Sequence, residues 1–373
     1  MRPVHGHDSP LAAADIPTQP RQAGDLSTPA DGNDTRQGIR LESARDFMKR
    51  MLERPDSAFV ISEILPLGSI GLWHAQPRAM KSLASLEAAL AMTTGTPAFG
   101  SSRFSVPRVF RVAYFTEEDT DGLVYERLGW FLKGRGLTEA PEPLFLSVRQ
   151  GADFDSQASQ DQIIGTIREQ GAEVAIFDPL RGFTALSDKG PADLRPVVKF
   201  FRRIQRETAC KTLILPHHDT KEQLGKEQDT RTLAQRASGG GIFSMAEAPI
   251  HFEKVAETET ACVPSGFKAS NDPKPFRLHF ESAAIPFRDY VRAVAETVSE
   301  NDVAHQKIEK KLLRAFGAHA GKLNASAVKD TVGGRDYNLA MTVLEDWKAQ
   351  GKVTEGTGNH GARLFTLAVK EAA

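Results

Sequence analysis

Cysteine, net charge and long apolar runs are all scarce in this sequence, and each scarcity removes a class of protein. The two cysteines, Cys210 and Cys262, lie far apart with no metal-ligand pattern around them. That excludes a disulfide framework and fits a reducing compartment. A formal net charge of -1 over 373 residues provides no global basic field to attract nucleic acid. Such contact has to come from a local patch or from the interior of an oligomeric ring. No apolar run approaches the roughly 20 residues that cross a bilayer, and the first residues lack the apolar core of a secretion signal. The expectation is a soluble, cytoplasmic chain with no membrane partner and no internal repeats.

What is present is an ordinary globular composition, 40% hydrophobic and 25% charged, over a length that suits two domains and a tail. Residues 1–36 are rich in Pro, Gly, Asp, Thr and Gln, and are expected to form a disordered tail. Leu41, Phe47, Met48, Met51 and Leu52 then recur at helical spacing, with Pro55 just beyond. From Phe59 to about His251, short apolar runs alternate with helical segments. Strands are predicted at Ile70–Trp73, Phe110–Phe115, Val174–Phe177 and Thr212–Leu215, a pattern of buried parallel strands in an α/β domain. Ile250–Glu253 and Phe276–Phe280 read as a late hairpin, and residues from Pro286 to about Asp302 as a connector or linker helix. The predicted division is therefore a tail (1–36), an α/β domain (37–290), a linker (291–302) and a second domain (303–373).

The motifs that carry chemistry sit at predicted strand ends. Strand Ile70–Trp73 leads into Ala75-Gln76-Pro77-Arg78-Ala79-Met80-Lys81-Ser82, and then into a helix from Leu83 to Met92. This is the position and ending of a phosphate-binding loop, G-x-x-x-x-G-K-[ST], whose backbone amides and helix dipole favour phosphate. Lys81 would reach the β- and γ-phosphates of ATP, and Ser82 would ligate Mg²⁺. Both glycines are replaced, by Ala75 and Met80, so Met80 has to adopt a costly conformation or re-route the loop. The pair Lys81-Ser82 is equally open to a reading as ordinary residues at a helix start. Asp178 ends the apolar strand Val174–Phe177 and suits a metal's water shell, or the cap of a turn before Pro179. Glu117, Glu118 and Asp119 follow another strand, where one carboxylate could activate water, while Asp119, Thr120 or Asp121 could cap the next helix. Adjacent His217 and His218 point to opposite strand faces. With no further ligand in metal-site spacing, zinc is rejected there, and one of the two is expected to sense phosphate.

In this order the features resemble the RecA-like ATPases, and among them the RepA-type hexameric replicative helicases of plasmids. The resemblance rests on Met80-Lys81-Ser82, Tyr114 to Asp119, Ile176 to Leu180, His217 to Lys221 and Arg236 to Gly239, over roughly residues 58–285. It implies a RecA-like P-loop core with a mostly parallel sheet. It implies ATP and Mg²⁺ as ligands, Ala75 to Leu83 with Asp178, His217 and His218 as the nucleotide site, and Glu118 as catalytic base. It further implies a hexameric ring around single-stranded DNA, with Arg236 reaching a neighbour's nucleotide and Lys268 in a region that supplies a second trans cation.

The C-terminal segment reads as helix (Lys307–Phe316), short helix from Asn324, turn, helix with Leu339, Val343, Leu344 and Trp347, then a glycine-rich hairpin. That is the order of a winged helix-turn-helix. Lys329, Arg335, Asn338, Lys352, His360 and Arg363 are its candidate nucleic-acid contacts, while Asp336, Glu345 and Asp346 weaken a positive face. A protein-docking role is the alternative for this module. For the whole chain, the expected function is an ATP-dependent motor or remodeller on DNA, the alternative a DNA-binding initiator on a degenerate, weakly hydrolysing ATPase fold.

Overall fold

The computed structural model describes residues 41–53, 58–187, 192–219, 241–268, 272–285, 287–297, 300–334, 336–358 and 361–368. The expected tail, Arg236, Arg335 and His360 lie outside them. Two compact units divide between Pro55 and Asp56. In the first, α1 (Ala44–Leu52) is capped by the Ser43 hydroxyl, which accepts from the Asp46 amide.

The second unit is organised by a nine-stranded sheet. Its strands are β3 (Ile70–Ala75), β4 (Val112–Thr116), β5 (Leu144–Val148), β6 (Val174–Phe177), β7 (Thr212–His218), β8 (Ala248–Ala256), β9 (Glu259–Pro264), β10 (Phe276–Ser282) and β11 (Val291–Thr297). A small pair, β1 (Phe59–Ile61) and β2 (Leu65–Pro66), precedes them. The order is β11-β10-β9-β8-β3-β7-β6-β4-β5. From β8 to β5 every neighbour is parallel, and β8 to β11 form an antiparallel extension. The mostly parallel α/β expectation therefore holds for the core.

Helices cover both faces, as continuous apolar strands require. On one side α2 (Lys81–Thr94) and α3 (Asp121–Gly134) pack on Trp73, Tyr114, Ile176 and Ile214. On the other, α4 (Gln157–Glu169) and α5 (Arg195–Glu207) bring Ile163, Ile167, Phe200 and Phe201 onto Leu72, Phe115, Phe177 and Leu215. Each fully buried Leu, Ile or Phe contributes about 1.5–3 kcal/mol. Alanine and leucine line nearly the whole of α2, which is buried almost all round, and Gly95 at φ 65 stops it with an amide bond to Ala91 O. Glu87 is the polar exception in that helix, held by Arg135 at 2.6 Å and by the Phe99 amide. Burial still pushes its carboxyl up to about 7.

Two sequence readings are corrected here. The stretch from Pro286 to Asp302 is not a plain connector, because β11 runs through it and closes the sheet against β10. At Gly134 a Cβ would lie 1.9 Å from Val291 O, so α3 and β11 approach too closely for any side chain. The late hairpin is also larger than expected, since β9 pairs with both β8 and β10.

Beyond the sheet, α6 (Gly241–Met245) packs on β3, and the C-terminal segment folds as a small module. It comprises α7 (Glu300–Ala318), β12 (Lys322–Asn324), α8 (Ala325–Val332), α9 (Tyr337–Ala349), β13 (Val353–Thr357) and β14 (Arg363–Leu367). Its strands order β12-β14-β13 around a core of Leu312, Phe316, Val328, Leu344, Trp347 and Phe365. Asn324 caps α8 by accepting from the Ala327 amide. No helix among the described residues is long and apolar enough to cross a membrane.

Candidate functional site

At the carboxyl ends of β3, β4, β6 and β7, the chain gathers the charged residues singled out from the sequence. The connection from β3 to α2 exposes Gln76, Pro77 and Arg78 and buries Ala79. Met80 takes the left-handed conformation, φ 60 and ψ 22, and Arg78 has φ 65. The loop thus keeps a glycine-like backbone without glycine, at a cost of about 1–2 kcal/mol per residue. No side chain caps the start of α2, so its first-turn amides remain available to an anion.

Lys81 is only 5% exposed. Its Nζ donates to Ala75 O at 3.3 Å and Gln76 O at 3.4 Å, and lies 3.4 Å from His218 Nδ1. Burial lowers its amine to about 8, against the pull of Asp178, Asp219 and Glu118. A cation held this way is short of negative charge, which a phosphate would supply.

Across from it, Ser82 Oγ donates to Asp178 Oδ1 at 3.1 Å, and the Tyr114 hydroxyl donates to Oδ2 at 2.5 Å. Asp178 is buried, and burial raises its carboxyl to about 6 although both hydrogen bonds oppose the shift. A hydroxyl beside a carboxylate is the oxygen donor pair that Mg²⁺ accepts, so these residues fit the ion.

The three acids after β4 separate by contact. Glu117 is occupied by the Gly151 and Ala152 amides at 3.1 and 2.9 Å. Asp119 pairs with Arg127 at 2.5 Å. Among the described residues Glu118 accepts no side-chain hydrogen bond. Partial burial raises its carboxyl, while Arg181 and Lys81 pull it back. Gly182 permits this arrangement, because a Cβ there would meet Glu117 Cβ at 3.3 Å. Of the three expected capping candidates, Thr120 caps α3, its hydroxyl accepting from the Leu123 amide.

The histidine pair splits as strand geometry demands. His218 faces Lys81, whereas His217 lies on the other sheet face, buried and pushed down to about 3 by desolvation and then by its neighbours. The charge of Lys81 still reaches His217 from the other face. On its face Asp219 bonds His74 Nδ1 at 2.8 Å and His251 Nε2 at 3.1 Å. Burial pushes Asp219 up, but the bonds from His251 and His74 outweigh it and hold the carboxyl well below its usual range. Sequence reasoning did not find Tyr114, His74 or His251; the only local signal is a polar ring inside an apolar strand.

Lys268 donates to Ser244 O at 2.8 Å. In the C-terminal module Arg363 is paired with both Glu345 and Glu355. A surface cleft of about 600 Å³ between α3, β5 and α4, lined by Tyr125, Leu146 and Gln162, meets the site only through Gly151 and Ala152, whose amides hold Glu117.

Residues 40–223 match the family model of the AAA domain. The match spans just under half of the chain, and over it the similarity is to an AAA domain. A crystal structure of the RadB recombinase superposes with a TM-score of 0.40 at 14% identity, over 57% of this chain and 88% of that one. No curated protein matches the sequence.

Proposed function

We propose that the chain is an ATP-hydrolysing motor or remodeller acting on DNA, related in design to the RepA-type helicases. The observation that carries this reading is the convergence of Lys81, Ser82, Asp178, Glu118 and His218 at one edge of the parallel sheet, where α/β folds bind ligands. Lys81 and the first-turn amides of α2 hold the β- and γ-phosphates. Ser82 and Asp178 would hold Mg²⁺, which when bound would supply charge neutralisation to the phosphates. Glu118 takes the proton of the attacking water, since it is the acid of its trio without a competing side-chain or amide contact among the described residues. His218, beside Lys81, reports on the γ-phosphate.

Assembly into a ring, hexameric as in the resembling family, would bring Arg236 and Lys268 of one subunit toward a neighbour's nucleotide. Release of Lys268 from Ser244 O is required for that. The C-terminal module supports a winged-helix reading through its order of helices, short sheet and hairpin. Lys329, Asn338, Lys352 and Arg363 are its DNA contacts, of which Arg363 must first exchange two carboxylates for phosphate. ATP turnover measured with and without single-stranded DNA, together with mass in solution, tests the proposal. DNA-stimulated turnover by an oligomer supports it, and a monomer without turnover overturns it.

The second reading, a nucleotide-binding scaffold that does not hydrolyse, is favoured by one feature. Met80 occupies a left-handed position with a bulky side chain where the loop meets α2. Turnover that emerges only in Met80→Gly would select this reading.

A further inference from the structure

The sheet face opposite Lys81 carries a second polar cluster made by the same strands. His217 and His251 are the register neighbours of His74 across parallel pairings, so the three rings share one face. Asp219, two residues past His217, returns to that face and bridges His74 and His251. One ligand atom from each of His74, Asp219 and His251 lies within 4.8 Å of the others. The residues are 0%, 8% and 3% exposed, and Phe243 meets the His74 ring edge-on at 5.9 Å. His74 Nε2 is buried with no hydrogen-bond partner among the described residues.

We propose that His74, Asp219 and His251 form a structural site for a divalent transition-metal ion of the zinc class. Two imidazoles and one carboxylate are a zinc donor set, and they differ from the all-oxygen sets that Mg²⁺ and Ca²⁺ prefer. The site therefore selects a different ion from the one Ser82 and Asp178 would hold. The ion takes the place of the protons that now join His74 Nδ1 and His251 Nε2 to the carboxylate, and each neutral ring keeps its single proton on its other nitrogen. Its donors come from β3, β8 and the end of β7, and it fastens these strands where β3 runs into the phosphate loop. The Asp219 amide already donates to Ala75 O at 2.7 Å, so the site supports the floor of that loop without touching nucleotide. Rejection of zinc from the sequence weighed only His217 and His218; the true partners of Asp219 sit on other strands.

The test uses the full chain, expressed with zinc supplementation, dialysed against metal-free buffer and measured for metal by mass spectrometry. About one zinc per chain is expected to remain, held by three protein donors with the fourth position open to water. Asp219→Asn and His251→Gln should fall to background while Lys81→Ala keeps its zinc, a readout independent of any nucleotide. The wild type decides even if those variants fail to fold. After the metal is stripped, Zn²⁺ alone should raise its Tm by several degrees, roughly, where equal Mg²⁺ does not. A wild type with no retained zinc and no Zn²⁺-dependent rise overturns the proposal and leaves a hydrogen-bonded triad only. Zinc undiminished in folded Asp219→Asn and His251→Gln overturns it as well.

Discussion

The two faces of the sheet at the ends of β3 and β7 carry similar residues and use them differently. Toward α2, Lys81 and Asp178 are buried against their charge: the lysine rests on carbonyls and its amine is lowered to about 8, while Asp178 is raised to about 6. On the opposite face Asp219 is fully engaged by two imidazoles and its carboxyl stays ionised. Adjacent residues, His217 and His218, belong one to each side. Charge left unmatched by protein awaits a ligand, whereas charge matched by protein holds strands together. Substitutions on the first face should therefore change chemistry and binding, and those on the second should change stability.

The largest effect is expected at Glu118. Glu118→Gln should reduce ATP turnover by about 10²–10⁴-fold, the usual contribution of a general base, with nucleotide affinity kept. Steady-state turnover and fluorescent-nucleotide titration check this; a parallel loss of affinity would make Glu118 a binding residue. Asp219→Asn should cost about 2–3 kcal/mol of stability, from weakened hydrogen bonds to a buried charge, seen as a lower urea midpoint. Little loss of stability there would break the contrast between the faces.

Lys81→Ala should weaken ATP about 10–100-fold, the equivalent of one charged hydrogen bond, without loss of stability. The linkage sign supports the second half. A lysine lowered to about 8 binds fewer protons folded than unfolded between that pH and its usual value. The native state therefore gains stability as pH rises through that window, and the buried ammonium is unfavourable below it.

How much of this contrast was legible in the sequence follows from chain distance. Lys81, Ser82 and Asp178 announce themselves because strand, loop and helix are contiguous, and each acid or cation ends an apolar run. Glu118 was legible only through resemblance, because what separates it from Glu117 is a pair of amides at Gly151 and Ala152. The opposite face was not legible. His74 and Asp219 are 145 residues apart, and a lone imidazole in an apolar strand looks like any core histidine. β11 was missed because one of its faces is polar and exposed, so its run resembles a connector.

A smaller effect is protonic. Phosphate beside Lys81 should raise its amine, so ATP binding near pH 8 should take up up to about half a proton per site. Calorimetry in two buffers of different ionisation enthalpy measures that uptake, and Lys81→Ala should abolish it. Mg²⁺-dependent affinity should also fall as pH drops through about 6, where Asp178 gains its proton. The smallest effect is at Met80. Relief of left-handed strain, about 1–2 kcal/mol, is offset by about 0.4–1 kcal/mol of added unfolded-state entropy and by lost packing of a half-buried side chain. Met80→Gly should therefore shift stability by under about 1 kcal/mol.

The most direct test of the nucleotide site is ATP turnover by the full chain and by Lys81→Ala, each with and without single-stranded DNA. Turnover that DNA stimulates in the wild type and that disappears in the variant is the expected result. Equal turnover in the two proteins, or a wild type that binds no ATP, would contradict the assignment of the β3–α2 loop as the catalytic centre.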